Sequence, residues 1–152
     1  MIALTRSAVA GIAAVGVAVG GSAALAATPT FPAFAGPPSK NNPVVKPHEI
    51  VYTGDAGAFF AGTGKKPGKI HWTVWNNTEG VGTGAQWINH CNPNCAQGKF
   101  SSYRVTLKVY RPETVSKYRI FTRLKVTFTG RKQTGFTWKV TFRHGIFLIG
   151  CC

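Results

Sequence analysis

Three stretches of the chain alternate strictly between apolar and polar side chains. In YRVTLKVY (103–110), Tyr103, Val105, Leu107 and Val109 fall on one face, with Arg104, Thr106 and Lys108 on the other. YRIFTRLKVTF (118–128) sets Ile120, Leu124, Val126 and Phe128 against Arg119, Arg123 and Lys125. FTWKVTFR (136–143) sets Phe136, Trp138, Val140 and Phe142 against Lys139, Thr141 and Arg143. A period of two belongs to a strand with one buried face, whereas a helix repeats about every 3.6 residues. EIVYTG and KIHWTVW are shorter strand candidates, and the continuously apolar GIFLI before Gly150 predicts a buried closing strand. After the first 26 residues no stretch carries a helical face. The pattern predicts an all-β domain, a small antiparallel β-sandwich or barrel of about six to eight strands.

TGRKQTG, between the last two long strands, reads as a hairpin loop. A pairing centred on Lys132 sets Phe128 opposite Phe136, Val126 opposite Trp138 and Leu124 opposite Val140, so that all apolar positions share one side. The same register sets Lys125 opposite Lys139 and Phe121 opposite Arg143. The segment 76–100, rich in Asn, Gly and Thr, reads as a long structured loop or a pair of irregular strands.

Ahead of this domain the texture changes twice. Residues 1–26 combine a short start ending in Arg6, an apolar run of Ala, Val, Ile and Gly, and small residues up to Ala24-Leu25-Ala26. This is the pattern of a secretory signal peptide cleaved after Ala26, with Ala27 the next choice. The run is too rich in Ala and Gly to match the roughly 20 strongly apolar residues of a stable span, so no transmembrane segment is expected in the mature form. Residues 27–47 carry six of the nine prolines and read as an extended linker or a strap along the surface. Residues 48–152 then form a single β domain.

Charge sharpens the picture. The chain holds 18 Lys and Arg against 4 Asp and Glu, a formal net charge of +14, and loss of the leader removes only Arg6 from that excess. Arg104, Lys108, Arg119, Arg123, Lys125, Lys139 and Arg143 all fall on the outward parity of their strands, with Arg131 and Lys132 in the turn between the last two. A surface that serves solubility alone mixes both signs. No acid interleaves these three alternating stretches, which makes the nine cations candidate anion-binding residues.

HCNPNC (90–95) raises the question of metal, redox centre or staple. A structural zinc site needs four Cys or His ligands, and the nearest partners for His90, Cys91 and Cys95 are His71, His144 and the terminal Cys151-Cys152, so a metal requires long-range assembly. A catalytic dithiol uses Cys-x-x-Cys at a helix start, and that context is missing. In an exported chain the oxidising compartment favours a disulfide between Cys91 and Cys95, across a turn that Asn92-Pro93 bends. Cys151 and Cys152 are too close to pair with each other without strain and are expected free, paired to another chain, or tied back into the domain.

The order Trp72-x-x-Trp75, Gly82-x-Gly84, Cys91-x-Pro93-x-Cys95-Ala96-x-Gly98 and a following strand resembles an uncharacterised family of small secreted actinobacterial proteins. The resemblance implies export and a Cys91–Cys95 pair, and implies no activity. The terminal Gly-Cys-Cys departs from the family pattern.

Catalytic chemistry has little to build on. Glu49, Asp55, Glu79 and Glu113 are scattered and suggest no facing pair of carboxylates. His48, His71, His90 and His144 could supply acid–base groups, and two of them with a lysine would make a nuclease, but no nucleophile–base spacing accompanies them. No cofactor and no metal is expected. Trp72 and Trp138 fall on apolar faces, whereas Trp75 and Trp87 are candidate surface aromatics. The expected function is that of a secreted or cell-wall-associated basic β domain, a non-catalytic binding module for an anionic polymer or cell-envelope component. No specific nucleic-acid recognition is expected. A small secreted hydrolase such as a nuclease is one alternative, and an interaction or inhibitor module presenting the 76–90 loop is another.

Overall fold

A computed structural model describes residues 27–33, 43–53, 57–130 and 134–151. The expected signal peptide, residues 1–26, lies outside the described residues, as do Asp55, Arg131, Lys132 and Cys152. Among the described residues there is no helix, and none is therefore long and apolar enough to cross a membrane. The strands are β1 (Phe31–Pro32), β2 (Pro43–Val44), β3 (Ile50–Val51), β4 (Ala58–Ala61), β5 (His71–Trp75), β6 (Glu79–Asn89), β7 (Phe100–Val115), β8 (Tyr118–Phe128), β9 (Phe136–Arg143) and β10 (Ile146–Cys151).

Eight of these strands form one antiparallel sheet in the order β10-β9-β8-β7-β6-β4-β3, with β5 also paired to β6, and β1 and β2 form a small second sheet. The large sheet curls into a half-barrel. The alternating stretches follow their period except at Phe121, which is buried, and at Phe142, which is 39% exposed. Val105, Leu107, Val109, Leu124 and Val126 are all but fully buried on the concave side, together with Phe60, Ile50 and Val140. Tyr52 of the segment after β3 closes the aromatic wall by meeting Trp138 of β9 edge-on, with ring centroids 4.1 Å apart. Two-residue turns join the last hairpins: Ser116 is left-handed between β7 and β8, and His144 and Gly145 both have positive φ between β9 and β10. Positive φ at both central positions is the twist-matched I′ form.

The Gly-rich segment is the main departure from the sequence expectation. Residues 79–89 are neither loop nor irregular strand: β6 runs eleven residues through the sheet, with β7 on one edge and β5 and β4 in succession on the other. Its glycines sit where β5 lays its indoles. A Cβ on Gly80 would lie 2.6 Å from Cε3 of Trp75 and 2.8 Å from Cγ2 of Val109, and one on Gly82 would lie 2.8 Å from Cε3 of Trp72. The apolar contacts of this part of β6 thus come from its partner's side chains, which hides its face from a reading of β6 alone. A stretch of 76–90 presented as a loop is correspondingly absent; only the 76–78 turn remains, held by Asn76 Oδ1 accepting from the backbone of Thr78 and Glu79.

A β-bulge settles the tryptophans. The register shifts between Trp72 and Val74, so Trp72 pairs with Gly82 and Trp75 with Gly80. Strict alternation would turn the two indoles to opposite faces; the extra residue brings them to the same one. They meet edge-on at 4.8 Å, and Trp75 also meets Phe121 at 5.4 Å.

The β8–β9 register differs from the sequence expectation by two residues. Val126 pairs with Phe136, Lys125 with Thr137, Leu124 with Trp138 and Arg123 with Lys139. A slip of two preserves which face each side chain takes. Gly135 fits the observed register: a Cβ there would lie 2.6 Å from the carbonyl oxygen of Val126, a close approach that only glycine allows. β10 differs as well. It ends the sheet order and alternates, Phe147 and Ile149 buried and Leu148 42% exposed, so it is an edge strand with one buried face.

The described part of the Pro-rich segment is a strap with a packed role. Thr30 bridges β8 in parallel, its N–H donating to Arg119 O and its carbonyl accepting from Phe121 N–H. Phe31 is fully buried in the main core. Proline content forbids a long ladder but leaves one aromatic free to insert.

Candidate anion-binding face

β7, β8 and β9 present their outward positions in two rows. One row runs Val81, Lys108, Lys125, Thr137, and the next runs Glu79, Tyr110, Arg123, Lys139. Lys108 therefore lies directly opposite Lys125, and Arg123 directly opposite Lys139. Like charges opposed across strands are destabilising. The expected opposition of Lys125 to Lys139 is replaced by these two.

The acids are closer to the cations than their sequence positions suggest. Glu79 of β6 forms an ion pair with Lys108. Glu113 belongs to β7, because that strand continues through Pro112 to Val115. Proline cannot donate to a ladder, which is why RPETV does not read as strand.

The continuation is bent. Arg111 has φ 62°, and Arg111 and Thr122 drop out of the pairing between Tyr110↔Arg123 and Pro112↔Phe121. The buried Thr122 hydroxyl lies 2.9 Å from Arg111 O and 3.1 Å from Glu113 Oε1, one hydrogen serving two acceptors. This break breaks strict alternation in β8. Phe121, outward by strict alternation, is fully buried against Trp75, and Arg111 comes to the surface.

β9 leaves β8 after the Arg123↔Lys139 pair, and the strap takes the vacated edge at Thr30. A cleft of about 460 Å³ opens at this divergence, and its lining includes Arg111, Glu113, Thr122, Arg123, Lys139 and Arg143. Four cations thus surround one carboxylate. Arg123 Nη1 donates to Thr122 O at 3.1 Å, which fixes one edge of its guanidinium and leaves the other donors for a ligand.

Not every outward cation belongs to this cluster. Arg119 donates to Ala27 O and Asn77 O and ties the strap to the β5–β6 turn. Arg104, opposite Ala85, lines a separate depression of about 400 Å³ with Lys65 and Ser102. Arg131 and Lys132 lie outside the described residues.

The two candidate surface aromatics are otherwise engaged. Trp87 is 5% exposed, and its Nε1 donates to Gly62 O at 3.1 Å. Trp75 is half-buried, and its Nε1 donates to Pro29 O at 2.9 Å. Each packs as a wall rather than offering a ring to solvent.

Cys91 and Cys95 are joined by a disulfide, and the Asn92–Pro93 peptide within that ring is cis. Cys151 closes β10 opposite Trp138. Among the described residues no three His, Cys, Asp or Glu side chains gather as a metal site. His90 instead shares a 2.7 Å hydrogen bond with Ser101 Oγ.

Sequence reasoning did not find Arg111, which a helix- or strand-period rule cannot place once the backbone turns left-handed. No family model matches the chain, and comparison with curated proteins and with solved structures finds no significant match to either.

Proposed function

We propose that the chain is a secreted, non-catalytic binding module that holds anionic polymers or anionic cell-envelope components on the outer face of β7–β9, most tightly at the cleft beside Lys139. Secretion rests on the signal-like leader at 1–26. The observation that carries the binding reading is the double opposition of Lys108 to Lys125 and of Arg123 to Lys139, continued by Arg111 and Arg143 into the cleft. Lys108 is already paired with Glu79, but among the described residues the Arg123–Lys139 opposition has no such partner and is relieved by an anionic group that settles on it. Contacts of this kind position a charged backbone without reading a sequence, so affinity falls steeply with salt and depends little on polymer sequence.

The test is a salt series of heparin, duplex DNA and anionic-vesicle binding. Arg123→Glu with Lys139→Glu should weaken binding by about tenfold or more and flatten the log–log salt slope for duplex DNA by about two. Lys66→Glu with Lys99→Glu, which alters charge equally outside this face, should do neither. Equal losses in the two double variants would reduce the face to generic surface charge.

A further inference from the structure

A second group of basic side chains lies across the sheet from that cleft, with β6, β7 and β8 between β5 and β9. Lys46, His48, Lys69, His71 and Trp72 line a pocket of about 350 Å³ with Ile70 at its base. The four basic residues arrive as two i, i+2 pairs on adjacent segments. A buried residue sits between the members of each pair, Pro47 in one and Ile70 in the other, and all four basic side chains are exposed.

The two segments are fastened to each other. Ile70 N–H donates to His48 O at 2.8 Å, and Trp72 Nε1 donates to Pro47 O at 2.8 Å. Lys46 is held at φ 51°, a conformation that residues with a Cβ rarely adopt. The pocket's lining contains no acid, and among the described residues neither lysine has a carboxylate partner. The order of the residues along the chain hides this grouping, since Lys46 falls in the Pro-rich segment and reads as a linker charge.

We propose that this pocket is a separate anion site that takes the phosphate of a phosphomonoester, with the ring-bearing remainder of the ligand lying along Trp72. Two ammonium groups match the double charge of a phosphomonoester, and the two imidazoles supply short, directional donors to its oxygens. Ile70 and Trp72 add an apolar wall, and a volume of about 350 Å³ has room for a small ligand. The site shares no residue with the β7–β9 cleft, so either can fail without the other.

The test is isothermal titration of the whole chain with a nucleoside monophosphate, the parent nucleoside, inorganic phosphate and sulfate. The monophosphate should bind, inorganic phosphate should bind more weakly, and the nucleoside should show no binding. Lys69→Ala with His71→Ala, both exposed positions, should weaken the monophosphate by about tenfold or more while leaving the thermal midpoint unchanged. Arg123→Glu with Lys139→Glu should leave monophosphate binding intact. His48→Ala is a second variant with the same expectation as Lys69→Ala with His71→Ala. Unchanged affinity in both pocket variants, or binding of phosphate and sulfate alike with no gain from the nucleoside part, overturns the proposal.

Discussion

Gly80→Ala probes the contact on which the placement of β6 depends. The added methyl would sit 2.6 Å from Cε3 of Trp75 and 2.8 Å from Cγ2 of Val109, both in or against the main core. Neither neighbour can simply swing away. The indole is held by the 2.9 Å bond from Nε1 to Pro29 O and by edge contacts to Trp72 and Phe121, and Val109 is fully buried. Overpacking of this kind costs about 1–3 kcal/mol. Removing a glycine from the unfolded chain returns about 0.4–1 kcal/mol. The net expectation is a loss of about 1–2 kcal/mol, which with a urea slope of about 2 kcal/mol per molar lowers the unfolding midpoint by roughly 0.5–1 M. Gly150→Ala in β10 is the control, because a Cβ there meets nothing within 4 Å. Urea unfolding followed by tryptophan fluorescence reads both variants. If Gly80→Ala unfolds at the same midpoint as Gly150→Ala, the indole does not lie on β6 and the account of the Gly-rich strand is wrong.

Phe31→Ala should cost about 3–5 kcal/mol despite its place in a Pro-rich segment, since the ring is fully buried; thermal unfolding of the variant checks this. Non-reducing peptide mapping should recover a Cys91–Cys95 linkage, and replacing both by serine should lower stability by about 2 kcal/mol, the loop entropy of so short a ring. Tyr52 has its pKa raised above the ordinary 10.0, chiefly by burial, with the hydrogen bond from Gln86 acting the other way. A phenol whose folded pKa is raised contributes stability that is complete below the unfolded value and is lost as pH rises through the folded one. The unfolding midpoint should therefore fall as pH climbs past about 10, and absorbance titration of Tyr52→Phe should lack the latest-ionising tyrosine.

The long strands were legible because each carries its own face. In β7, β8 and β9 the apolar residues that pack inward belong to the strand itself, so period two identifies both the element and its buried side. β6 was not legible for the opposite reason. At Gly80 and Gly82 the strand contributes a vacancy, and the mass that fills it is Trp75 and Trp72 of the neighbouring strand. Parity misplaces Trp75 because it counts residues, and one bulge at the middle of β5 changes the count. Phe31 was hidden by composition: prolines argue against a ladder, but they do not prevent two backbone bonds to β8 and one aromatic in the core.

The candidate face divides along the same line. Which cations point outward follows from parity, and a register slip of two leaves parity untouched, so Arg123, Lys125 and Lys139 were identifiable from alternation alone. Which cations face each other depends on where β9 meets β8, and the register found there lays Gly135 against the carbonyl of Val126, a backbone contact with no side-chain pattern to announce it. The cleft depends on a further event of the same kind. Arg111 is left-handed with its carbonyl bonded by Thr122, Phe121 lies in the core, β9 pairs with β8 no further than Arg123↔Lys139, and Arg111 and Glu113 line one cleft with Arg123, Lys139 and Arg143. Charge on an outer face is thus written in the side chains, whereas its concentration at one point is set by backbone irregularities that the side-chain period does not encode.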